Sequence, residues 1–120
     1  MFFMDLLEEL KTKDVNVDEA IDRFMGNASL YEKMLVKFLD LMNDMWVDID
    51  FDCNSYDDII EKTHAIKGAA GNLSINPVYE AYTEIVNLLR AHQPEEAKVL
   101  LEKILPVQKD IIECIKKYHK

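Results

Sequence analysis

Glycine, proline and cysteine are scarce in this 120-residue sequence, which contains three glycines, three prolines and two cysteines. Few glycines and prolines leave few positions for turns, and the abundant Leu, Ile, Met, Glu and Lys favour helices. The two cysteines and three histidines lack the spacing of a zinc site, so we predict no metal site. No stretch approaches the roughly 18 apolar residues that a membrane-spanning helix needs.

Basic residues are also in the minority, because the sequence has 14 Lys and Arg and 23 Asp and Glu, which gives a net charge of −9. Nucleic acids and anionic membranes require a basic surface, so neither is an expected partner. The apolar start, MFFM, is followed at once by acidic residues and has no basic segment before it, which is not the pattern of a signal peptide. We therefore predict a cytoplasmic protein in which Cys53 and Cys114 are reduced.

Apolar residues at helical spacing predict an all-α fold for a single domain over residues 1–120. A short helix is expected over residues 4–12, and a second is expected to end at Gly26 as its C′ residue. Longer helices follow, joined by short polar segments such as 50–55. The sequence therefore predicts an antiparallel up-down four-helix bundle with one or two short extra helices at the N-terminus.

Several residue patterns mark the expected helix boundaries. The predicted N-caps are Asn16 with Glu19 at N3, Ser29 with Glu32 at N3, Ser55, and Asn76 with Pro77 at N1. The helix after Ser29 should run to about Asp48 and bury Leu30, Met34, Leu35, Phe38, Leu41, Met42 and Met45. Pro106 lies inside the last helical pattern and should kink or split that helix.

The segment 63–73, THAIKGAAGNL, departs from this plain helical pattern. Its apolar stripe consists of Ile59, Ile66, Ala70 and Leu73, with Thr63 between them. His64 falls about 140–150° from the middle of that stripe, at about 100° per residue. The sequence therefore places an imidazole on the outward face of a core helix.

Lys67, Gly68 and Gly71 follow His64 by three, four and seven residues and share its face. Each glycine costs roughly 1 kcal/mol relative to alanine inside a helix. The absence of two Cβ atoms would let another surface approach the imidazole. Alternatively, one glycine is a helix C′ residue and Lys67 is an ordinary solvated lysine. Ile60 projects near the same face, either as part of a docking patch or as an isolated exposed apolar residue.

Residues 64–73, HAIKGAAGNL, resemble the signature of histidine phosphotransfer (HPt) domains, roughly H-x-[LI]-K-G-[SA]-[SA]-x-N-[LI]-G. His64, Lys67 and Gly68 match the motif, whereas Gly71 replaces a common Ala and Ser74 replaces the final Gly. The region from Asp18 to Asp40, with its joint RFMGN, is also similar to the region that precedes the phosphorylated helix in small bacterial HPt proteins. The resemblance therefore covers roughly residues 16–90.

The resemblance implies a helical bundle that carries a phosphoryl group on His64 between receiver domains of a two-component phosphorelay. Lys67 would neutralise phosphoryl charge, and Ile60, Gly68 and Gly71 would contact the partner. The partners would be receiver domains of response regulators or hybrid histidine kinases. The receiver would supply Mg²⁺, so this chain is expected to bind no cofactor and to act as a monomeric carrier rather than a self-sufficient enzyme. An exposed imidazole is mostly neutral at pH 7 and can attack phosphorus, which suits this role.

Two other interpretations remain open, and a third is remote. The chain could be a receiver-binding adaptor of HPt ancestry that does not transfer the phosphoryl group. It could be the N-terminal phosphorylated domain of a chemotaxis-type kinase. A metal-binding bundle would need inward-facing Glu and Glu-x-x-His sets, which the sequence lacks. No role is expected for His92 and His119, which lie near helix ends.

Overall fold

The computed structural model describes residues 5–44 and 56–118, with the side chains of residues 43 and 44 excepted. These residues form six α-helices and no named strand, which confirms the all-α prediction. The helices are α1 (Leu6–Lys11), α2 (Val17–Arg23), α3 (Ala28–Asp44), α4 (Asp57–Asn72), α5 (Asn76–Arg90) and α6 (Pro94–Tyr118). None of the described helices is long and apolar enough to cross a membrane.

One hydrophobic core joins these helices. Helix α5 packs against α4 and α6, and α3 contacts both α4 and α6. The short helices α1 and α2 contact each other, α1 also packs on α6, and α2 on α3. The largest fully buried side chains are Tyr31, Tyr82, Leu10, Leu35, Ile66, Ile75, Ile85, Leu89, Ile111, Ile115 and Val17.

Capping was predicted correctly for α2 only. Asn16 accepts a hydrogen bond from the Glu19 N–H at 3.2 Å, as expected of an N-cap. The prediction of Ser29 as the cap of α3 is wrong, because Asn27 accepts from the Leu30 N–H at 3.0 Å and starts the helix earlier. The prediction of Asn76 is also wrong by one residue, since Ile75 is the cap and Pro77 is the second helical residue.

The ends of α2 and α6 also differ from expectation. Helix α2 ends at Arg23, so Met25, with φ 58°, takes the C′ position that was assigned to Gly26. Helix α6 continues through Pro106 without a break, so the predicted splitting does not occur. The predictions for Met45, Asp48, the joint 50–55 with Cys53 and Ser55, and His119 lie outside the described residues.

The buried face of α3 was predicted in part. Leu35, Phe38 and Met42 are buried as expected, whereas Leu30 is 39% exposed. Tyr31 and Leu39 are buried instead. The Tyr31 hydroxyl donates a hydrogen bond of 2.9 Å to the carbonyl oxygen of Leu73, which ties α3 to the end of α4. This polar partner makes the burial of a tyrosine favourable.

Candidate functional site

Helix α4 has the two faces that the sequence predicts. Thr63, Ile66 and Ala70 are completely buried, and Leu73 is 3% exposed. The Thr63 hydroxyl donates to the Ile59 carbonyl at 2.6 Å, so this polar side chain is satisfied within its own helix. The opposite face carries His64, whose side chain is exposed. Burial of one face therefore fixes the direction in which the imidazole projects.

His64 and Lys67 have no competing partner among the described residues. Within residues 5–44 and 56–118, no hydrogen bond or salt bridge engages the imidazole of His64 or the ammonium of Lys67. The neighbouring lysine on this helix, Lys62, is paired with Asp58 at 3.3 Å. A nucleophilic nitrogen and an uncommitted cation thus lie one helical turn apart on one helix. Such a pair can receive a phosphoryl group and offset its charge.

The two glycines of α4 have different surroundings. Both lie inside the helix, so neither is the C′ residue that the alternative interpretation required. A Cβ at Gly68 would meet no atom within 4 Å. A Cβ at Gly71 would lie 2.9 Å from Cδ2 and 3.0 Å from Cε2 of the Tyr79 ring. The fold thus accounts for glycine at position 71, and nothing in its own packing requires glycine at position 68.

Ile60 is half-buried and packs against the hydrophobic core. It is therefore not an isolated exposed apolar residue. Its remaining exposed surface is compatible with a contact to a partner, and that role stays a prediction.

The C-terminal end of α4 is held by a group that we call the Arg23 clamp, consisting of Glu19, Arg23 and Ser74. The Arg23 guanidinium donates to the carbonyl oxygens of Gly71 and Asn72, at 3.2 and 2.7 Å. The last turn of a helix leaves carbonyl acceptors without a partner inside the helix. The Gly71 carbonyl also accepts from the Ser74 N–H at 3.2 Å. A positive charge at a helix C-terminus is also favourable to the helix dipole.

Ser74 completes the clamp. Its hydroxyl donates to Glu19 Oε1 at 2.7 Å and accepts from Arg23 Nη1 at 3.1 Å. Arg23 Nη2 also donates to Glu19 Oε1 at 3.3 Å. The hydrogen bond from Ser74, and after it the one from Arg23, lowers the pKa of the Glu19 carboxyl. The clamp therefore couples α2 to the helix that carries His64.

Sequence reasoning missed both the Arg23 clamp and Tyr79. The pair Glu19–Arg23 has the i, i+4 spacing of a helical salt bridge, which is a visible signal. The contact of Arg23 with residues almost 50 positions away leaves no local signal. The same holds for the packing of Tyr79 on Gly71, because a close approach between two helices depends on their three-dimensional register.

The site is a surface rather than a pocket. An apolar groove of about 650 Å³ is lined by residues of α1, α3 and α6, including Leu6, Val36 and Ile115. His64 and Lys67 do not line it. No group of three or more potential metal ligands occurs among the described residues. An exposed nucleophile on a helix face suits a macromolecular partner better than a small substrate.

Comparison with known proteins gave no match: no family model, no curated protein and no solved structure is significantly similar to this chain.

Proposed function

We propose that this protein is a histidine phosphotransfer protein, which accepts a phosphoryl group on His64 from a receiver aspartate and donates it to another receiver. The observation that carries the proposal is the exposed, uncommitted imidazole of His64 beside Lys67 on a helix whose opposite face is buried. The resemblance of residues 64–73 to the HPt signature supports the same role. The expected partners are receiver domains of response regulators or hybrid histidine kinases.

The proposed architecture is an antiparallel up-down four-helix bundle made of α3 to α6, with α1 and α2 as the extra N-terminal helices. Two observations support it. Each of the four longest helices contacts two of the others in the cyclic order α3, α4, α5, α6. The joints between α4 and α5 and between α5 and α6 are three residues long, which favours antiparallel neighbours. A cytoplasmic monomer would leave the α4 face free for receivers.

The transfer reaction needs only groups that the two proteins supply. A nitrogen lone pair of the neutral His64 imidazole attacks the phosphorus of the receiver's acyl phosphate. The N–P bond forms as the P–O bond to the aspartate breaks, and the aspartate leaves as a carboxylate. Lys67 offsets charge on the equatorial oxygens in the loose transition state. Mg²⁺ would act from the receiver, and donation to a second receiver reverses these steps.

The anchoring of α4 supports the role of His64 as a positioned nucleophile. Because phosphoryl transfer depends mainly on positioning and charge stabilisation, a carrier gains from a nucleophile whose helix does not move. The buried stripe of Ile66 and Ala70 holds one side of α4. The Arg23 clamp and the Tyr31 hydroxyl hold its C-terminal end.

The proposal is tested by mixing the purified protein with a ³²P-phosphorylated receiver and Mg²⁺. We expect a protein adduct that is labile in acid and stable in alkali, as a phosphoramidate is. His64→Gln should keep the helical circular dichroism spectrum and lose the adduct. His92→Gln, which changes an exposed histidine at the end of α5, is the matched control and should be labelled normally.

Lys67→Met should be labelled more slowly than the wild type, by roughly ten- to a hundredfold, because it removes one charge-stabilising group. Normal labelling of His64→Gln would contradict the assignment. Receiver binding by the folded wild type without any labelling would instead favour the non-transferring adaptor.

A further inference from the structure

The ring of Tyr79 is seated on α4 at the position where Gly71 lacks a side chain. The distances of 2.9 and 3.0 Å from an added Cβ to the ring are shorter than ordinary carbon contacts, so only glycine leaves room for this ring position. Tyr79 is nevertheless 38% exposed. The ring thus rests on α4 and still presents part of its surface to solvent.

Tyr79 lies beside the face that carries His64. Gly71 follows His64 by seven residues, so the two positions differ by about 20° around the helix and by about 10 Å along it. The Tyr79 ring occupies the space into which a side chain at position 71 would project. The surface between them includes Gly68, above which no atom lies within 4 Å of an added Cβ. The imidazole and the aromatic ring are therefore separated by the bare backbone of Gly68 on one side and by Lys67, which shares this face, on the other.

A protein that reaches His64 will also cover Tyr79. Standard interfaces bury about 800 Å² on each partner, which corresponds to a disc with a radius of about 16 Å. A disc of this size centred on His64 therefore extends past position 71, which lies about 10 Å along the helix and which the Tyr79 ring covers. Among the exposed large hydrophobic side chains of the described residues, Tyr79 is the one that belongs to α4 or α5. Tyrosine is also one of the residue types that most often dominate binding energy.

We propose that Tyr79 is a docking residue for the phosphoaspartyl receiver and that Gly71 is its positioning residue. This inference rests on the proposed function and names a contact of the same site. Tyr79 touches the partner but not the reacting atoms. Its removal should therefore weaken binding of the phosphorylated receiver and leave the chemical step at saturation unchanged. The negative phosphoryl group and the uncommitted charge of Lys67 are complementary, which fixes the receiver's acidic active site over α4.

The test measures initial rates of labelling at increasing concentrations of phosphorylated receiver. Tyr79→Ala should raise the half-saturating receiver concentration by roughly tenfold or more, with a maximal rate within about twofold of wild type. Val107→Ala removes a similarly exposed hydrophobic side chain from α6 and is the matched control, with no expected change. Tyr79→Phe separates the contribution of the ring from that of the hydroxyl.

Gly71→Ala tests whether the missing side chain at position 71 positions the Tyr79 ring. The added methyl group should displace Tyr79 and raise the half-saturating concentration, but by less than Tyr79→Ala does. In the Tyr79→Ala background the same substitution should have no further effect, because the ring it displaces is gone. An equal effect of Gly71→Ala in both backgrounds would contradict the positioning role.

Labelling by phosphoramidate, a small phosphoryl donor that needs no docking surface, shows whether each variant keeps a folded and reactive His64. Wild type and Tyr79→Ala should react with it at the same rate. If receivers label the wild type but the half-saturating concentration of Tyr79→Ala is unchanged, the docking role is overturned and the phosphocarrier proposal stands. If no receiver labels the wild type, the phosphocarrier proposal fails and the docking role fails with it.

Discussion

Three of the described helices are followed, two residues after their last helical residue, by a residue that is not glycine and yet has the left-handed conformation. Met25, Ser74 and His92 have φ between 54° and 59° and follow α2, α4 and α5. After α2, for example, the Gly26 N–H donates to the Ile21 carbonyl at 2.8 Å. The Met25 N–H donates to the Asp22 carbonyl at 3.0 Å. This pair of bonds is the Schellman motif, in which glycine is the favoured C′ residue because it has no Cβ.

Met25→Gly is expected to stabilise the protein by about 1 kcal/mol. The left-handed conformation costs an L-residue roughly 1–2 kcal/mol, and glycine avoids this cost. The larger entropy of glycine in the unfolded chain offsets part of the gain. Met25 is 96% exposed, so the substitution loses no packing. Urea unfolding of wild type and variant at pH 7 measures the difference. Met25→Ala, which keeps a Cβ, should give no gain, and an equal gain from alanine would refute this explanation.

Ser74 has the same left-handed backbone conformation, but its side chain makes hydrogen bonds that glycine could not make. It stands where the HPt signature has glycine, and its buried hydroxyl bonds to both Glu19 and Arg23. A glycine there would relieve backbone strain and remove the centre of the Arg23 clamp. Ser74 thus adopts the left-handed conformation and adds a polar contact to α2.

At the scale of elements, the Arg23 clamp joins α2 to the end of α4. The contribution of the clamp to stability depends on pH, because the hydrogen bonds from Ser74 and Arg23 lower the pKa of the Glu19 carboxyl in the folded state. Because its pKa is lowered on folding, the ionised Glu19 carboxylate contributes to stability at pH values above the pKa of glutamate in the unfolded chain, about 4.3. This contribution is lost as the pH falls through the folded-state pKa.

Glu19→Gln should therefore destabilise the protein at pH 7 and have a progressively smaller effect as the pH falls from about 5 to 3. The measurement is the urea midpoint of wild type and variant across this range. Glu84→Gln, at an exposed position of α5, is the control and should show no such convergence. A difference between wild type and Glu19→Gln that stays constant down to pH 3 would contradict the role of the charged clamp.

Helix α6 tolerates a proline in its interior. Pro106 is exposed, and the 25-residue helix from Pro94 to Tyr118 continues through it. Packing explains this continuity, because Ile104 and Ile111 on either side are buried in the core. Tertiary burial of an apolar face can outweigh the loss of one helical hydrogen bond.

Pro106→Ala should raise the stability by about 1–3 kcal/mol, since alanine restores the missing N–H donor without removing buried surface. Thermal and urea unfolding provide the measurement. Pro94→Ala is the control at the first residue of the same helix, where the N–H has no helical partner in any case and little change is expected. An equal gain from both substitutions would contradict the assignment of the effect to the missing hydrogen bond in the helix interior.

The existence of the helices could be predicted from the sequence, because apolar spacing is a local property of the chain. The outward position of His64 was predicted for the same reason. Helix starts were less predictable, since Asn27 and Ser29 both have side chains that cap helices and only the folded backbone decides between them. The burial of Tyr31 and the seat of Tyr79 on Gly71 depend on contacts between distant segments, which no local pattern reports.

At the scale of the whole molecule, the net charge of −9 opposes the approach of a negatively charged phosphoryl donor to the proposed site. An acidic protein that receives a phosphoryl group must meet a second acidic site, the receiver's phosphoaspartate. Under the proposed function, Lys67 and the Mg²⁺ that the receiver would hold would offset this repulsion locally. Because exposed charges are screened by salt, the association rate should rise with ionic strength if long-range repulsion dominates.

The central claim is that the protein carries a phosphoryl group, which requires donation as well as acceptance. The most direct measurement combines a ³²P-phosphorylated receiver, the protein, Mg²⁺ and a second, unlabelled receiver that does not exchange label with the first. We predict that label appears on the second receiver only when wild-type protein is present, and that His64→Gln abolishes this transfer. Label that reaches the second receiver equally well with His64→Gln, or that stays on the wild-type protein with every receiver, would contradict the account.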